Sequence, residues 1–142
     1  MDAGVNSNAT VTVFTNGCFD IFHAGHARLL QWARRLGDEL IVGLNSDSSV
    51  RTKKGPKRPI NCLADRRAVL EAMACVDKVI AFDESDAVRL VKLIRPDIYV
   101  KGPGCMWCFE MDYARSIGSM VYTPDWPVLL STSVLSERIV DL

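Results

Sequence analysis

The sequence has no excess charge of either sign and no long apolar segment. Its 142 residues include 17 basic and 17 acidic side chains, so the formal net charge is zero. A neutral chain gives no electrostatic reason to bind nucleic acid or an anionic membrane surface, and no apolar run approaches the ~18 residues of a membrane span. The polar first nine residues do not resemble a signal peptide. We therefore expect a cytoplasmic protein without nucleic-acid or membrane partners, with a disordered tail over residues 1–9 and one domain over residues 10–142.

The chain also lacks a paired set of cysteines. Its five cysteines, an odd number without secretory context, favour reduced thiols over a disulfide framework. Cys105 and Cys108 form a single CxxC pair, whereas a four-cysteine zinc site needs two such pairs. We interpret this pair as local packing. A zinc site that combines Cys105 and Cys108 with histidines stays open as an alternative.

Strand patterns and helical patterns alternate along the chain. The unbroken apolar run of residues 39–45 is typical of a strand covered on both faces, and Leu29, Ala33 and Leu36 recur at helical spacing. Strands that alternate with helices imply a parallel sheet with right-handed crossovers. We predict a single-domain, Rossmann-like α/β fold, in which a doubly wound parallel sheet of about five strands carries helices on both faces. The predicted strands are 11–15, 39–45, 78–82, 97–102 and 119–123, the predicted helices are 24–36, 62–75, 86–95, 108–117 and 132–140, and the basic segment 51–61 is predicted to be a loop.

Histidine is scarce, and both histidines fall in one turn. His23 and His26 follow the first predicted strand and lie three residues apart, so they share a face at the start of the first helix. Unpaired amides and the positive end of the helix dipole gather there, and Gly25 leaves room for a ligand. This combination suits a phosphate, and histidine adds donors that can become cationic near neutral pH. Two alternatives stay open: the rings cap their own helix, or they share a metal ion with Asp20.

The same stretch resembles the signature of a known family. Residues 17–26, GCFDIFHAGH, are similar to the G-x-F-D-x-x-H-x-G-H motif of the cytidylyltransferase-like nucleotidyltransferases. Further segments between residues 13 and 102 extend the likeness, among them VGLNSDSSV, KGPKRPIN, ADRRAVLEAM and RPDIYVKG. Together they resemble the adenylyltransferase half of bacterial ADP-heptose synthases and, more loosely, glycerol-3-phosphate cytidylyltransferases.

This resemblance implies an enzyme that transfers AMP or CMP from ATP or CTP to a phosphorylated sugar or polyol, of the heptose 1-phosphate or glycerol 3-phosphate type. A phosphate of the acceptor attacks the α-phosphorus and pyrophosphate leaves, so catalysis consists of positioning and charge neutralisation. Mg²⁺ is expected to bind as a complex with the triphosphate, because it takes few protein ligands. No metal site formed by the protein itself is expected. Relatives commonly form dimers, which implies a homodimer.

The resemblance also implies roles for particular residues. His23 and His26 would contact the triphosphate and stabilise the transition state. Lys53 or Lys54 would swing over the phosphates, and Arg66 would reach the active site as a further catalytic group. The residues implied in nucleotide or substrate binding are Thr15, Asn16, Gly17, Cys18, Phe19, Asp20, Gly25, Asn45, Asp47, Lys101, Gly102, Ser131, Thr132 and Ser133.

Several of these residues also have plainer interpretations. The basic segment can be a solvated turn, Arg66 can form a surface ion pair, and the hydroxyls of residues 131–133 can cap the last helix. Asp20 would either orient its turn or bind the acceptor. Relatives usually carry acidic residues after the fourth strand, where residues 103–105 of this chain are Pro-Gly-Cys. This departure keeps a second class of function open, a nucleotide-binding module without catalysis.

Overall fold

A five-stranded parallel sheet forms the centre of the molecule. The computed structural model describes residues 9–128 and 131–140. The strands lie in the order β3-β2-β1-β4-β5, and every neighbouring pair is parallel. The predicted α/β class and the sheet of about five strands are thereby confirmed. The strands are β1 (Thr12–Gly17), β2 (Glu39–Asn45), β3 (Lys78–Phe82), β4 (Ile98–Val100) and β5 (Met120–Tyr122).

Helices pack on both faces of this sheet. In the described part of the chain they are α1 (Ala24–Arg35), α2 (Asp47–Lys54), α3 (Leu63–Glu71), α4 (Val88–Ile94), α5 (Phe109–Ser116) and α6 (Thr132–Val140). Adjacent residues of a strand point to opposite faces. Val13 of β1 therefore packs with Leu30 and Leu70, under α1 and α3. Its neighbour Phe14 packs with Leu90 and Met111, under α4 and α5.

The strand order reverses at β1, and this reversal creates a crevice. β2 and β3 continue from β1 in one direction, whereas β4 and β5 continue in the other. Open α/β sheets bind ligands at such a switch point, outside the carboxyl ends of the strands. The turn of residues 18–23, which joins β1 to α1, begins at this crevice.

The basic segment 51–61 differs from its prediction as a loop. Its first four residues complete helix α2, and Gly55, at φ +102°, ends that helix. Ser46 caps α2 by accepting a hydrogen bond from Ser49 N, and the basic last turn complements the negative end of the helix dipole. The prediction was wrong for residues 51–54, because α2 lacks the apolar periodicity by which helices are recognised, whereas residues 55–61 form the predicted loop.

The other predicted helices and strands agree with the structure to within a few residues at their ends. Residues 1–8 of the predicted tail lie outside the described part of the chain, as do residues 129–130 and 141–142. Within the described ranges, no helix is both long and apolar enough to cross a membrane.

A buried arginine joins the ends of the strands. Arg66 on α3 is only 2 % exposed. Its Nη1 donates to Cys18 O (2.9 Å) after β1 and to Asn45 O (2.7 Å) at the end of β2. Its Nη2 donates to Asp47 Oδ1 (2.7 Å), and its Nε donates to Asn61 O (2.9 Å). The guanidinium therefore fixes the edge of the crevice. Arg66 is buried, so the alternative that it forms a surface ion pair is wrong.

Replacing Arg66 with methionine is expected to lower the free energy of unfolding by about 3–5 kcal/mol, because it leaves three carbonyl groups without their donor, at about 1–3 kcal/mol for each buried one. Chemical denaturation measures the change. Arg67→Met is the matched control, because Arg67 is the next residue of α3 and its half-exposed side chain pairs with Glu71 and donates one hydrogen bond, to Val79 O. That variant should lose at most about 1–2 kcal/mol. Equal losses in the two variants would contradict the structural role of Arg66.

Candidate active site

The two histidines cap the helix that follows β1. His23 is the N-cap of α1, and its Nδ1 accepts a hydrogen bond from Gly25 N (3.0 Å). In return, His26 Nδ1 accepts one from His23 N (3.2 Å). The rings stack with 3.8 Å between their centroids, and Phe19 and Phe22 pack against His26. The capping alternative is therefore correct, although it uses only one nitrogen of each ring.

These caps determine which nitrogen of each ring carries the proton. Because both Nδ1 atoms accept hydrogen bonds from backbone amides, we assign the proton of each neutral ring to Nε2. Burial, followed by the charges of His23 and Lys54, lowers the pKa of His26 from 6.5 to about 4. Burial also lowers the pKa of His23. Near neutral pH the free protein therefore offers two neutral Nε2–H donors, in place of the cations that the sequence allows.

A cleft of about 240 Å³ opens beside the histidines. Among the described residues, none that lines it is acidic, and Lys54 and Arg28 supply positive charge. Apolar groups, among them Trp126 and Val128, complete the lining, and Trp126 packs edge-on against Trp32 with 5.5 Å between ring centroids. The sequence-predicted residues that line this cleft are His23, Gly25, His26, Lys54, Gly102, Ser131 and Thr132.

The structure distinguishes between the two candidate lysines. Lys54, the last residue of α2, lines the cleft, and its charge contributes to the lowered pKa of His26. Lys53 lies one residue earlier, a rotation of about 100° around a helix, and is not among the lining residues. Lys54 is therefore the lysine that can reach a ligand in the cleft.

The three hydroxyl residues at the start of α6 make different contacts. Ser131 Oγ accepts a hydrogen bond from Val134 N (3.2 Å), which makes it an N-cap. Thr132 Oγ1 donates to Asp20 O and so joins α6 to the turn after β1. Ser133 lines a second, neighbouring cleft. Because a helix start leaves unpaired amides, this turn can bind a phosphate although two of its hydroxyls are already in use.

Other sequence-predicted residues lie outside the lining of the cleft. Asp20 is 1 % exposed, and its carboxylate accepts hydrogen bonds from Ile60 N (2.6 Å) and Asn61 N (2.9 Å). This geometry favours the orienting role of Asp20, and Arg66 likewise acts on the site through the groups that it holds. The predicted residues that do not line the cleft are Thr15, Asn16, Gly17, Cys18, Phe19, Asp20, Asn45, Asp47, Lys53, Arg66, Lys101 and Ser133.

Sequence reasoning missed part of the lining. Arg28 and Leu29 lie three and four residues after Gly25, so the helix face that they share with it could have indicated them. Pro103 and residues 126–128 follow β4 and β5. The strand ends point to these segments, but no pattern in the sequence shows which side chains turn toward the histidines.

The described residues provide no support for a protein metal centre. Among them, no cluster of three His, Cys, Asp or Glu side chains is placed to hold a metal ion. Cys105 and Cys108 are free thiols, and burial raises the pKa of Cys108 to about 11. Neither metal alternative from the sequence is therefore supported in this part of the chain.

Fold and site together define a Rossmann-like α/β protein with an anion-binding cleft at the switch point of its sheet. The chain belongs to the cytidylyltransferase-like family, whose model matches residues 14–123. The family predicted from the histidine signature is confirmed, and with it the class of enzyme, a nucleotidyltransferase.

Curated relatives of this chain are much longer bacterial proteins. The chain is 46 % identical over 131 residues to the bifunctional protein HldE of Syntrophotalea carbinolica, a match that covers 91 % of this chain and 27 % of that protein. It is 62 % identical over 90 residues to the bifunctional protein HldE of Campylobacter curvus, which covers 63 % of this chain and 19 % of that protein. The chain thus spans roughly a fifth to a quarter of the length of the curated relatives it matches.

Solved structures share the fold of this chain. The lipopolysaccharide core biosynthesis protein from Thermoplasma volcanium GSS1 matches with a TM-score of 0.69 at 30 % identity, over 81 % of this chain and 94 % of that protein. A pantoate-β-alanine ligase from Francisella tularensis, complexed with β-γ ATP and β-alanine, matches with a TM-score of 0.53. That match covers 99 % of this chain and 73 % of the ligase at 13 % identity, so it shows a likeness of fold alone.

The lowered pKa of His26 predicts that acid destabilises the protein. An unfolded histidine titrates near 6.5 and the folded one near 4. Between these values the unfolded state binds more protons, so the free energy of unfolding falls as the pH falls. At about 1.4 kcal/mol per pKa unit, this group accounts for a loss of up to about 3 kcal/mol. His26→Asn is the control, because asparagine does not titrate and its Oδ1 can replace Nδ1 in the cap.

Urea denaturation of both proteins, near neutral pH and near pH 4.5, checks this prediction. The wild-type protein should lose more stability on acidification than His26→Asn, and the difference isolates the histidine from the carboxylates that both proteins share. Equal losses would contradict the lowered pKa.

Proposed function

We propose that this protein transfers AMP or CMP from ATP or CTP to the phosphate of a small sugar or polyol and releases pyrophosphate. One observation carries the proposal: His23 and His26, whose Nδ1 atoms are already used by backbone amides, line one cleft together with Lys54 and the first turn of α6, and none of the described residues of that lining is acidic. A triphosphate fits this set of donors and charge, because charge-assisted hydrogen bonds to phosphate oxygens are strong.

The composition of the lining suggests how the nucleotide lies. Its phosphates belong beside His23, His26 and Lys54, where the donors are. Its base and ribose belong against the apolar surface that Trp126 and its neighbours provide, since nucleoside-sized ligands bury most of their surface against apolar and aromatic groups. The α-phosphorus would then lie close to the histidine pair.

In the proposed reaction an oxygen of the acceptor phosphate attacks the α-phosphorus, and the bond to the α–β bridging oxygen breaks. The Nε2–H donors and Lys54 stabilise the negative charge that grows on the phosphoryl oxygens. In the part of the chain that the structure describes, the lining holds no cysteine or carboxylate that could act as nucleophile or general base. Positioning and charge neutralisation therefore supply the catalysis. Mg²⁺ would enter on the triphosphate, because the lining offers it no carboxylate.

The relatives support a phosphorylated sugar as the acceptor. The chain resembles bacterial HldE proteins and a lipopolysaccharide core biosynthesis protein, and lipopolysaccharide cores are built from sugars. We accordingly propose an acceptor of the heptose 1-phosphate or glycerol 3-phosphate type. We also propose that the protein is a homodimer and acts in the cytoplasm.

A nucleotide-binding module without catalysis is the second candidate function. The capping box favours it, because both histidines already serve the fold through their Nδ1 atoms. The discriminating feature is the other nitrogen of each ring, since a cap needs Nδ1 alone and catalysis needs the Nε2–H donor.

Paired substitutions at His26 separate these two functions. His26→Asn keeps an acceptor at the Nδ1 position and lacks the Nε2–H donor, so it should fold normally and lose about 10²–10³-fold in kcat. His26→Gln keeps an amide N–H donor, and its Oε1 can accept from the N-cap amide as an N3 glutamine does in a capping box, so it should fold normally and keep more activity than His26→Asn. The wild-type protein should release pyrophosphate from ATP or CTP in the presence of heptose 1-phosphate or glycerol 3-phosphate.

Pyrophosphate release, nucleotide Kd and Tm are measured for all three proteins. If the wild-type protein released no pyrophosphate with either nucleotide and any acceptor of this type, the enzyme proposal would be wrong. If His26→Asn kept the kcat of the wild-type protein, the histidine pair would serve only as a helix cap. That result would favour the nucleotide-binding module.

Lys54→Met is expected to lower kcat/KM by at least about tenfold, because it removes a charge-assisted hydrogen bond to phosphate. Lys53→Met is the matched control, since it makes the same change of charge one residue earlier on α2, outside the cleft. Steady-state kinetics with varied nucleotide check the difference. The same loss in both variants would mean that net charge near the site, and not the position of Lys54, determines the rate.

A further inference from the structure

A second cleft adjoins the first across the start of α6. It encloses about 520 Å³ and is lined by Arg58, Ser133, Ser136, Glu137 and Val140. Thr132 lines the first cleft and the next residue, Ser133, lines the second. Because consecutive Cα atoms are about 3.8 Å apart, one small ligand can touch both clefts at this turn.

The guanidinium of Arg58 has no hydrogen-bond or ion-pair partner within residues 9–128 and 131–140. Its Nη1 atom is buried without a hydrogen-bond partner among the described residues. Arg58 also takes part in none of the ion pairs found there, including any with Glu137. Arg66, by contrast, uses all three of its nitrogens. An unpaired buried guanidinium N–H costs free energy, and because Arg58 lines the second cleft, a rotation of its side chain toward a ligand there can recover that cost.

Both walls of the second cleft are anchored to one residue. The carboxylate of Asp20 holds the amides of residues 60–61, directly after Arg58 and Pro59. The carbonyl of Asp20 holds Thr132, the first residue of α6. The turn that carries the histidine signature therefore fixes the spacing between the basic segment and α6.

The lining of the second cleft combines donors and acceptors. Arg58 donates only, Glu137 accepts only, and the hydroxyls of Ser133 and Ser136 can accept. Ser136 Oγ already donates to Thr132 O (2.8 Å), so toward a ligand it can act only as an acceptor. A phosphate alone would be repelled by Glu137, whereas hydroxyl groups can donate to that carboxylate and accept from Arg58.

We propose that this second cleft holds the hydroxyl-bearing carbon chain of the acceptor, with the acceptor phosphate directed across the first turn of α6 toward the histidines. Arg58 and Glu137 then select a polyhydroxylated acceptor over a bare phosphate. This proposal rests on the proposed function, because it assigns the second substrate of the same reaction.

Two variants test the cleft, each with a neighbouring control. Arg58→Met is compared with Lys57→Met, and Glu137→Ala with Arg138→Ala; neither control residue is among those that line the first or the second cleft. Glu137 is exposed, so its variant should fold even if the variant at Arg58 does not. The probes are glycerol 3-phosphate and a heptose 1-phosphate. KM is measured separately for probe and nucleotide, and probe Kd is measured without nucleotide by ligand-observed NMR.

The cleft variants should raise KM and Kd for at least one probe by about tenfold or more, the usual effect of losing a charged hydrogen bond, and leave the nucleotide KM unchanged. The controls should match the wild-type protein. Unchanged probe constants, an equal rise in the nucleotide KM, or no probe binding by the wild-type protein would overturn the proposal. If the wild-type protein releases no pyrophosphate, the proposed function fails, and the Kd comparison still decides whether Arg58 and Glu137 bind sugar phosphates.

Discussion

The buried carboxylate of Asp20 is the contact on which the candidate site depends. It binds the amides of residues 60–61, and its own carbonyl binds Thr132, which is 112 residues away in the sequence. The neighbouring Phe19 and Ile21 have φ values of 49° and 47°, a left-handed region that non-glycine residues adopt at a cost. The hydrogen bonds of Asp20 offset this cost. They hold the turn in the shape from which α1 begins, with both histidines at its first turn.

The histidine pair serves the fold and the site with different nitrogens. Backbone amides occupy the two Nδ1 atoms, so each Nε2–H donor is set by the same hydrogen bonds that start α1. Two cations with ring centroids 3.8 Å apart would repel each other strongly in a partly buried site. The low pKa of His26 avoids that repulsion. Positive charge comes instead from Lys54 at the exposed end of α2.

Local patterns in the sequence were enough to predict the sheet, and tertiary contacts explain what they could not predict. The apolar run of residues 39–45 and the motif around His23 and His26 each depend on near neighbours in the chain, so both could be recognised. Helix α2 could not, because a serine cap and a basic last turn stabilise it without an apolar face. The contacts of Arg66 with carbonyl groups from three separate segments exist only after the chain has folded.

The central claim is that the paired Nε2–H groups hold a polyphosphate. A crystal structure with Mg²⁺ and a non-hydrolysable analogue of ATP or CTP tests it most directly. We expect phosphate oxygens at hydrogen-bond distance, about 3 Å, from Nε2 of both His23 and His26, with Lys54 turned toward the same oxygens. A triphosphate bound elsewhere, with both rings left free, would contradict the account.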